Sequence, residues 1–149
     1  FFQAEDGIRD YKVTGVQTCA LPILGSKSHT DTSWLIALFN PDDSHHSKAL
    51  RELEELHSAP SISAFALAEL LVDFERSDVV DVQSTFSQLQ RTFSRVIDLN
   101  SEIALSAAHI RSTNKVTLGD AIIIASALTE KAELLTFDKN MKAVYERIK

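Results

Sequence analysis

The segment Asp120–Leu128 (DAIIIASAL) carries no charge after its first residue and is apolar on nearly every side. A helix of that kind has no face to offer water, so it must lie enclosed in a folded core. Around it, short apolar runs alternate with helical patterns. Ser33–Phe39 (SWLIALF) reads as a short apolar helix closed by the turn cluster Asn40-Pro41-Asp42-Asp43. Ser44 is placed to cap the next helix, in which Ala49, Leu50, Leu53 and Leu56 recur at helical spacing. Pro60–Ser63 reads as a short strand running into the helix Ala64–Arg76. Val79, Val82, Phe86, Leu89 and Phe93 mark an amphipathic helix. Arg95–Leu99 is a predicted strand, and Ile103, Ala107 and Ile110 give one face of a further helix. Glu133–Phe137 is a predicted strand and Lys139–Ile148 a closing helix. Short apolar strands alternating with helices predict an α/β domain whose parallel sheet is covered on both faces.

From Gly25 onward no repeat, low-complexity tract or linker divides the chain, and 149 residues suit one domain. Residues 1–23 differ from the rest. They show neither helical nor strand periodicity and hold Cys19, the single cysteine. Val13–Ile23 (VTGVQTCALPI) resembles the conceptual translation of a short-read sequencing adapter, and Gln3–Asp10 resembles its other end. Residues 1–24 are therefore expected to be a non-native, disordered or irregular segment, with one domain over 25–149.

No run of about 18 apolar residues is present, which argues against a membrane span. One cysteine cannot form an internal disulfide, which fits a reducing cytoplasm. The formal net charge of −6 argues against wrapping nucleic acid by bulk positive charge. It leaves open a protein that handles nucleic acid through a metal held by carboxylates. The sequence has no glycine-rich phosphate loop, no Cys/His zinc spacing and no nucleophile–histidine arrangement.

Carboxylates stand where an open parallel sheet binds its ligands, beyond the carboxyl ends of its strands. Asp31 precedes the first helix, Asp138 directly follows the strand Glu133–Phe137, and Asp120 opens the buried helix after Gly119. Each also fits an ordinary helix N-cap. Glu69 lies in SISAFALAELLVDF, where the only charges are Glu69 and Asp73. The pair is spaced to mark a solvated helix face. A carboxylate amid Phe65, Leu67, Leu70 and Leu71 is less comfortable, since an unpaired buried charge is costly. Four converging carboxylates would repel one another, and a hard divalent ion such as Mg²⁺ or Mn²⁺ relieves that repulsion.

In order and separation, Asp31 in DTS, Glu69 in ALAELL, Asp120 in GDAIIIASAL and Asp138 in LLTFDKNM resemble the four acidic positions of the PIN-domain nucleases. The nearest likeness is to the VapC-like toxins of toxin–antitoxin pairs, over about residues 29–149. The resemblance implies a three-layer α/β/α PIN-like domain with a short parallel sheet of four or five strands. It implies that Asp31, Glu69, Asp120 and Asp138 bind Mg²⁺ or Mn²⁺, acidify a bound water and stabilise charge on a phosphate. It further implies an endoribonuclease acting on RNA, a cognate antitoxin and a homodimer. Ser33 and Thr136, two residues from Asp31 and Asp138, are candidates for orienting a carboxylate or a bound water, or for local capping. Two other readings fit the same residues. One is a catalytically inactive PIN-like module that docks RNA or protein; the other is a PIN nuclease of RNA maturation without an antitoxin.

His45 and His46 are adjacent on a helix, where neighbours do not share a face, so a solvated first turn is expected rather than a metal site. Arg111, Lys115, Lys139 and Lys142 flank the acids, where they could meet phosphates at the rim, but they read most simply as solvated charges and are assigned no role. One departure from the family pattern stands out. The residues before Asp31 are Gly25-Ser26-Lys27-Ser28-His29-Thr30, far more polar than the Val/Ile/Leu run of a central parallel strand.

Overall fold

The computed structural model describes residues 27–76 and 81–149. The adapter-like segment 1–24 and the position of Val79 lie outside the described residues. Four short strands, β1 (Ser28–Thr30), β2 (Ser61–Ser63), β3 (Arg95–Ile97) and β4 (Glu133–Leu135), form one parallel sheet in the order β3-β2-β1-β4. Seven helices connect and cover them: α1 (Thr32–Phe39), α2 (His46–Glu55), α3 (Ala64–Arg76), α4 (Val82–Thr92), α5 (Ser101–Thr113), α6 (Leu118–Thr129) and α7 (Lys139–Ile148). Every residue of β1 and of β2 is buried. Successive strand residues point to opposite faces, so both faces of the sheet are covered there, as an α/β/α sandwich requires.

α6 lies where its composition demands. Ala121 through Ala127 are all buried, and the helix packs on α5, α3, α7 and strands β1, β2 and β4. It starts at Leu118, two residues before the expected Asp120, because Thr117 and Asp120 form a capping box. The Thr117 hydroxyl accepts from Asp120 N at 3.1 Å, and the Asp120 carboxylate accepts from Thr117 N at 2.8 Å.

The polar strand β1 does form the sheet centre. His29 Nδ1 bonds Ser61 Oγ at 2.8 Å, Ser61 Oγ donates to Ser28 O at 3.2 Å, and Thr30 Oγ1 donates to Ser61 O at 3.2 Å. A serine in the neighbouring strand thus supplies partners for side chains that a β-branched run would not need.

Strands β3 and β4 each end two residues earlier than expected. After β4, Thr136 turns its hydroxyl to Asp31 and accepts from Asp138 N at 3.0 Å, a local pairing that replaces the ladder. After β3, Asn100 N donates to Asp98 O at 3.0 Å, forming a turn. Ser44 does not cap α2. Its hydroxyl pairs with the His45 ring, and the N-cap position falls on His45, whose side chain makes no capping bond. No helix among the described residues is long and apolar enough to cross a membrane.

Candidate metal centre

The strand order reverses direction at β1. The chain steps from β1 to β2 and β3 on one side, then returns to place β4 on the other. Such a switch point opens a crevice between the two strands at their carboxyl ends. Asp31 follows β1 and Asp138 stands three residues beyond β4, so the topology delivers both to that crevice. Glu69 on α3 and Asp120 in the first turn of α6 reach the same cleft, which Thr32, Asp73 and Arg76 also line.

Asp31 is buried and firmly held. Its Oδ2 accepts from Ser33 Oγ at 2.5 Å, Thr136 Oγ1 at 2.8 Å and Ser33 N at 3.3 Å. Asp31 Oδ1 takes no hydrogen bond among the described residues, so one oxygen is fixed and the lone pairs of the other remain open to a cation. Ser33 Oγ and Thr136 Oγ1 lie 3.2 Å apart, and Phe137 N donates to Ser33 Oγ at 3.1 Å. The two hydroxyls expected to orient a carboxylate therefore converge on Asp31. Asp138 caps α7, with Oδ1 accepting from Met141 N at 2.8 Å.

Glu69 takes the solvated of the two settings its sequence allows. It stands exposed at the cleft rather than sunk among Phe65, Leu67 and Leu70, because α3 turns those neighbours toward the core. Its Oε2 accepts from Thr32 Oγ1 at 2.7 Å. Partial desolvation holds its carboxyl above the usual range, and the like charges of Asp31, Asp120 and Asp73 push the same way, against the Thr32 bond. Sequence reasoning passes over Thr32 and Asp73 as functional residues. The signal for Thr32 is its place between two such residues in Asp31-Thr32-Ser33.

Gly119 explains how α6 comes this close to α3. A Cβ added there would stand 2.5 Å from Phe65 Cε1 and 3.5 Å from Glu69 Oε1. Gly119→Ala is expected to force the Phe65 ring or the start of α6 aside, at about 1–3 kcal/mol for overpacking. Thermal unfolding should show a lower midpoint than the unsubstituted chain; an unchanged midpoint would mean the ring yields freely.

Among the described residues, no three acidic, imidazole or thiol groups are gathered tightly enough to form a ready-made ion site. The donor chemistry nonetheless fits a hard divalent cation. Five carboxylates line one cleft, their mutual repulsion shows at Glu69, and no nitrogen or sulfur ligand stands among them. His45 and His46 lie apart from it. His45 stacks on Phe137 with centroids 4.6 Å apart, and His46 Nδ1 bonds Ala37 O at 2.9 Å.

A model of the PIN domain family matches residues 30–147. No curated protein matches the chain. Among solved structures, a toxin–antitoxin complex from Klebsiella pneumoniae is similar at TM-score 0.64 and 28% identity, covering 76% of this chain and 89% of that one. VapC20 of Mycobacterium tuberculosis, described as a sarcin-ricin loop cleaving toxin, is similar at TM-score 0.67 and 18% identity, covering 78% and 94%. VapBC2 from Rickettsia felis, bound to a fragment of its promoter DNA, is similar at TM-score 0.60 and 20% identity, covering 78% and 91%. At such identities the last two speak for the fold alone.

Proposed function

The chain belongs to the PIN domain family, and from that premise we propose that it is a metal-dependent endoribonuclease, the toxin of a type II toxin–antitoxin pair. The observation that carries this reading is the convergence of Asp31, Glu69, Asp120 and Asp138 from four separate segments on one cleft at the sheet's switch point. The similarity to a toxin–antitoxin complex supports the antitoxin as partner, and RNA and a second copy of the chain complete the set this reading carries. It is a cytoplasmic activity on this view.

The four carboxylates would hold one or two Mg²⁺ or Mn²⁺ ions, which when bound offset phosphate charge and acidify water. The remaining work falls to the chain itself. Ser33 and Thr136 pin Asp31 Oδ2, so that this carboxylate presents a fixed oxygen rather than a rotating pair. Thr32 does the same for Glu69 Oε2. The capping bonds of Asp120 and Asp138 lock their side chains to α6 and α7. Positioning of this kind lets binding act on the reacting phosphate without reorganising the site.

The test is cleavage of an RNA oligonucleotide mixture by the purified chain with Mg²⁺ or Mn²⁺, and again with EDTA. Cleavage is expected only with the ion. Cleavage that persists in EDTA, or none under any condition, would overturn the reading.

A further inference from the structure

A second groove adjoins the carboxylate cleft and shares Asp120 and Asp138 with it. Its other walls include Arg111, Lys115, Thr117 and Asn140. The juxtaposition matters because of what the cleft does to a polyanion. Among the described residues lining it, Asp31, Glu69, Asp73, Asp120 and Asp138 face a single cation, Arg76, in a chain of net charge −6. A phosphodiester entering such a field is repelled unless cations hold its neighbours along the strand.

Arg111, in the last turn of α5, and Lys115, in the α5–α6 connection, are both exposed, and neither forms an ion pair among the described residues. Their placement is fixed by the same short connections that carry the acids. Asn140 Nδ2 donates to Lys115 O at 2.7 Å, tying this connection to the first turn of α7, which Asp138 caps. Two residues after Lys115, Thr117 opens α6 and holds Asp120. A third cation, Arg147, donates to Asn114 beside Lys115.

We infer that Arg111 and Lys115 form a subsite for a backbone phosphate flanking the bond that is cut, so that the substrate strand runs from the carboxylate cleft across Asp120 and Asp138 into this groove. The inference rests on the ribonuclease reading and adds the direction of the strand and the residues that grip it. Both are positioning residues: they touch a phosphate that does not react.

The test compares the unsubstituted chain with the double variant Arg111→Gln/Lys115→Gln on single-stranded RNA oligonucleotides. KM is expected to rise about tenfold with kcat changed less than twofold, and the salt dependence of log KM to flatten by about 0.7 for each phosphate no longer gripped. Arg111→Lys with Lys115 intact should recover most of the loss. Arg91→Gln, a cation on α4 outside both grooves, should leave KM and slope in place. Fluorescence anisotropy of the same labelled RNA in EDTA supplies a readout independent of cleavage, with the double variant binding more weakly. Equal KM, equal slope and equal affinity in the double variant would overturn the subsite. If the unsubstituted chain binds RNA without cutting it, the nuclease reading fails and the anisotropy comparison still decides the subsite. If it does neither, both fall.

Discussion

Asp31→Asn is expected to lower RNA cleavage at least roughly 100-fold while the domain stays folded. The two side chains have nearly the same shape, so the outcome turns on which atom of the amide replaces which oxygen. Oδ2 of Asp31 accepts all three local hydrogen bonds, two from hydroxyls and one from Ser33 N. An asparagine keeps those bonds by placing its carbonyl oxygen on that side. Its NH₂ then sits where the free carboxylate oxygen stood, presenting a donor to any cation and removing one negative charge. Far-UV circular dichroism and the melting midpoint should stay near those of the unsubstituted chain, since the cap of α1 survives. RNA cleavage at an unchanged rate by the variant would mean that the cleft is not where the chemistry happens.

The second large effect concerns stability in acid. His29 is fully buried at the centre of the sheet, with Nδ1 on Ser61 Oγ and, among the described residues, no partner for Nε2. Burial lowers its pKa from 6.5 to about 4. The folded chain therefore resists a proton that the unfolded chain takes up readily below pH 6.5. The stability tied to this residue is whole above pH 6.5 and drains away as pH falls toward 4, by on the order of 3 kcal/mol. Urea unfolding of the unsubstituted chain and of His29→Leu, at pH 7 and at pH 4.5, separates this loss from that of the carboxylates common to both. The variant should lose markedly less between the two conditions. Equal losses would show that Nε2 finds a partner when charged.

Much of the architecture was legible in the chain because its signals are local. The all-round apolar run around Ile122–Ile124 required a buried helix, and the alternation of strands and helices required a parallel sheet. The order of the four acids was readable for the same reason. What escaped was set by side chains meeting across the fold. β1 looked too polar for its place, because nothing in Ser28-His29-Thr30 shows that Ser61 on β2 will supply partners. The setting of Glu69 stays open in the sequence, between a solvated face and an apolar surround, until α3 turns Phe65, Leu67 and Leu70 to the core. The missing cap at Ser44 has a similar cause, since α2 begins one residue later than Ser44 would set it and the serine hydroxyl pairs with the His45 ring. Thr32 gains meaning only when α3 is seen to bring Glu69 to its hydroxyl.

The acids of the cleft are drawn from positions 31, 69, 120 and 138, nearly the whole span of the domain. Bringing such distant positions together closes several long loops at once, and their entropy is recovered only when the complete sheet has assembled. The centre is therefore not a local motif that a nascent or cleaved fragment carries with it. It is complete only when Asp138, the N-cap of α7, reaches the cleft lined by Asp31, Glu69 and Asp120. On the proposed reading, a chain in which α7 has not docked lacks one of the four carboxylates, so the centre forms with the tertiary fold and not before it.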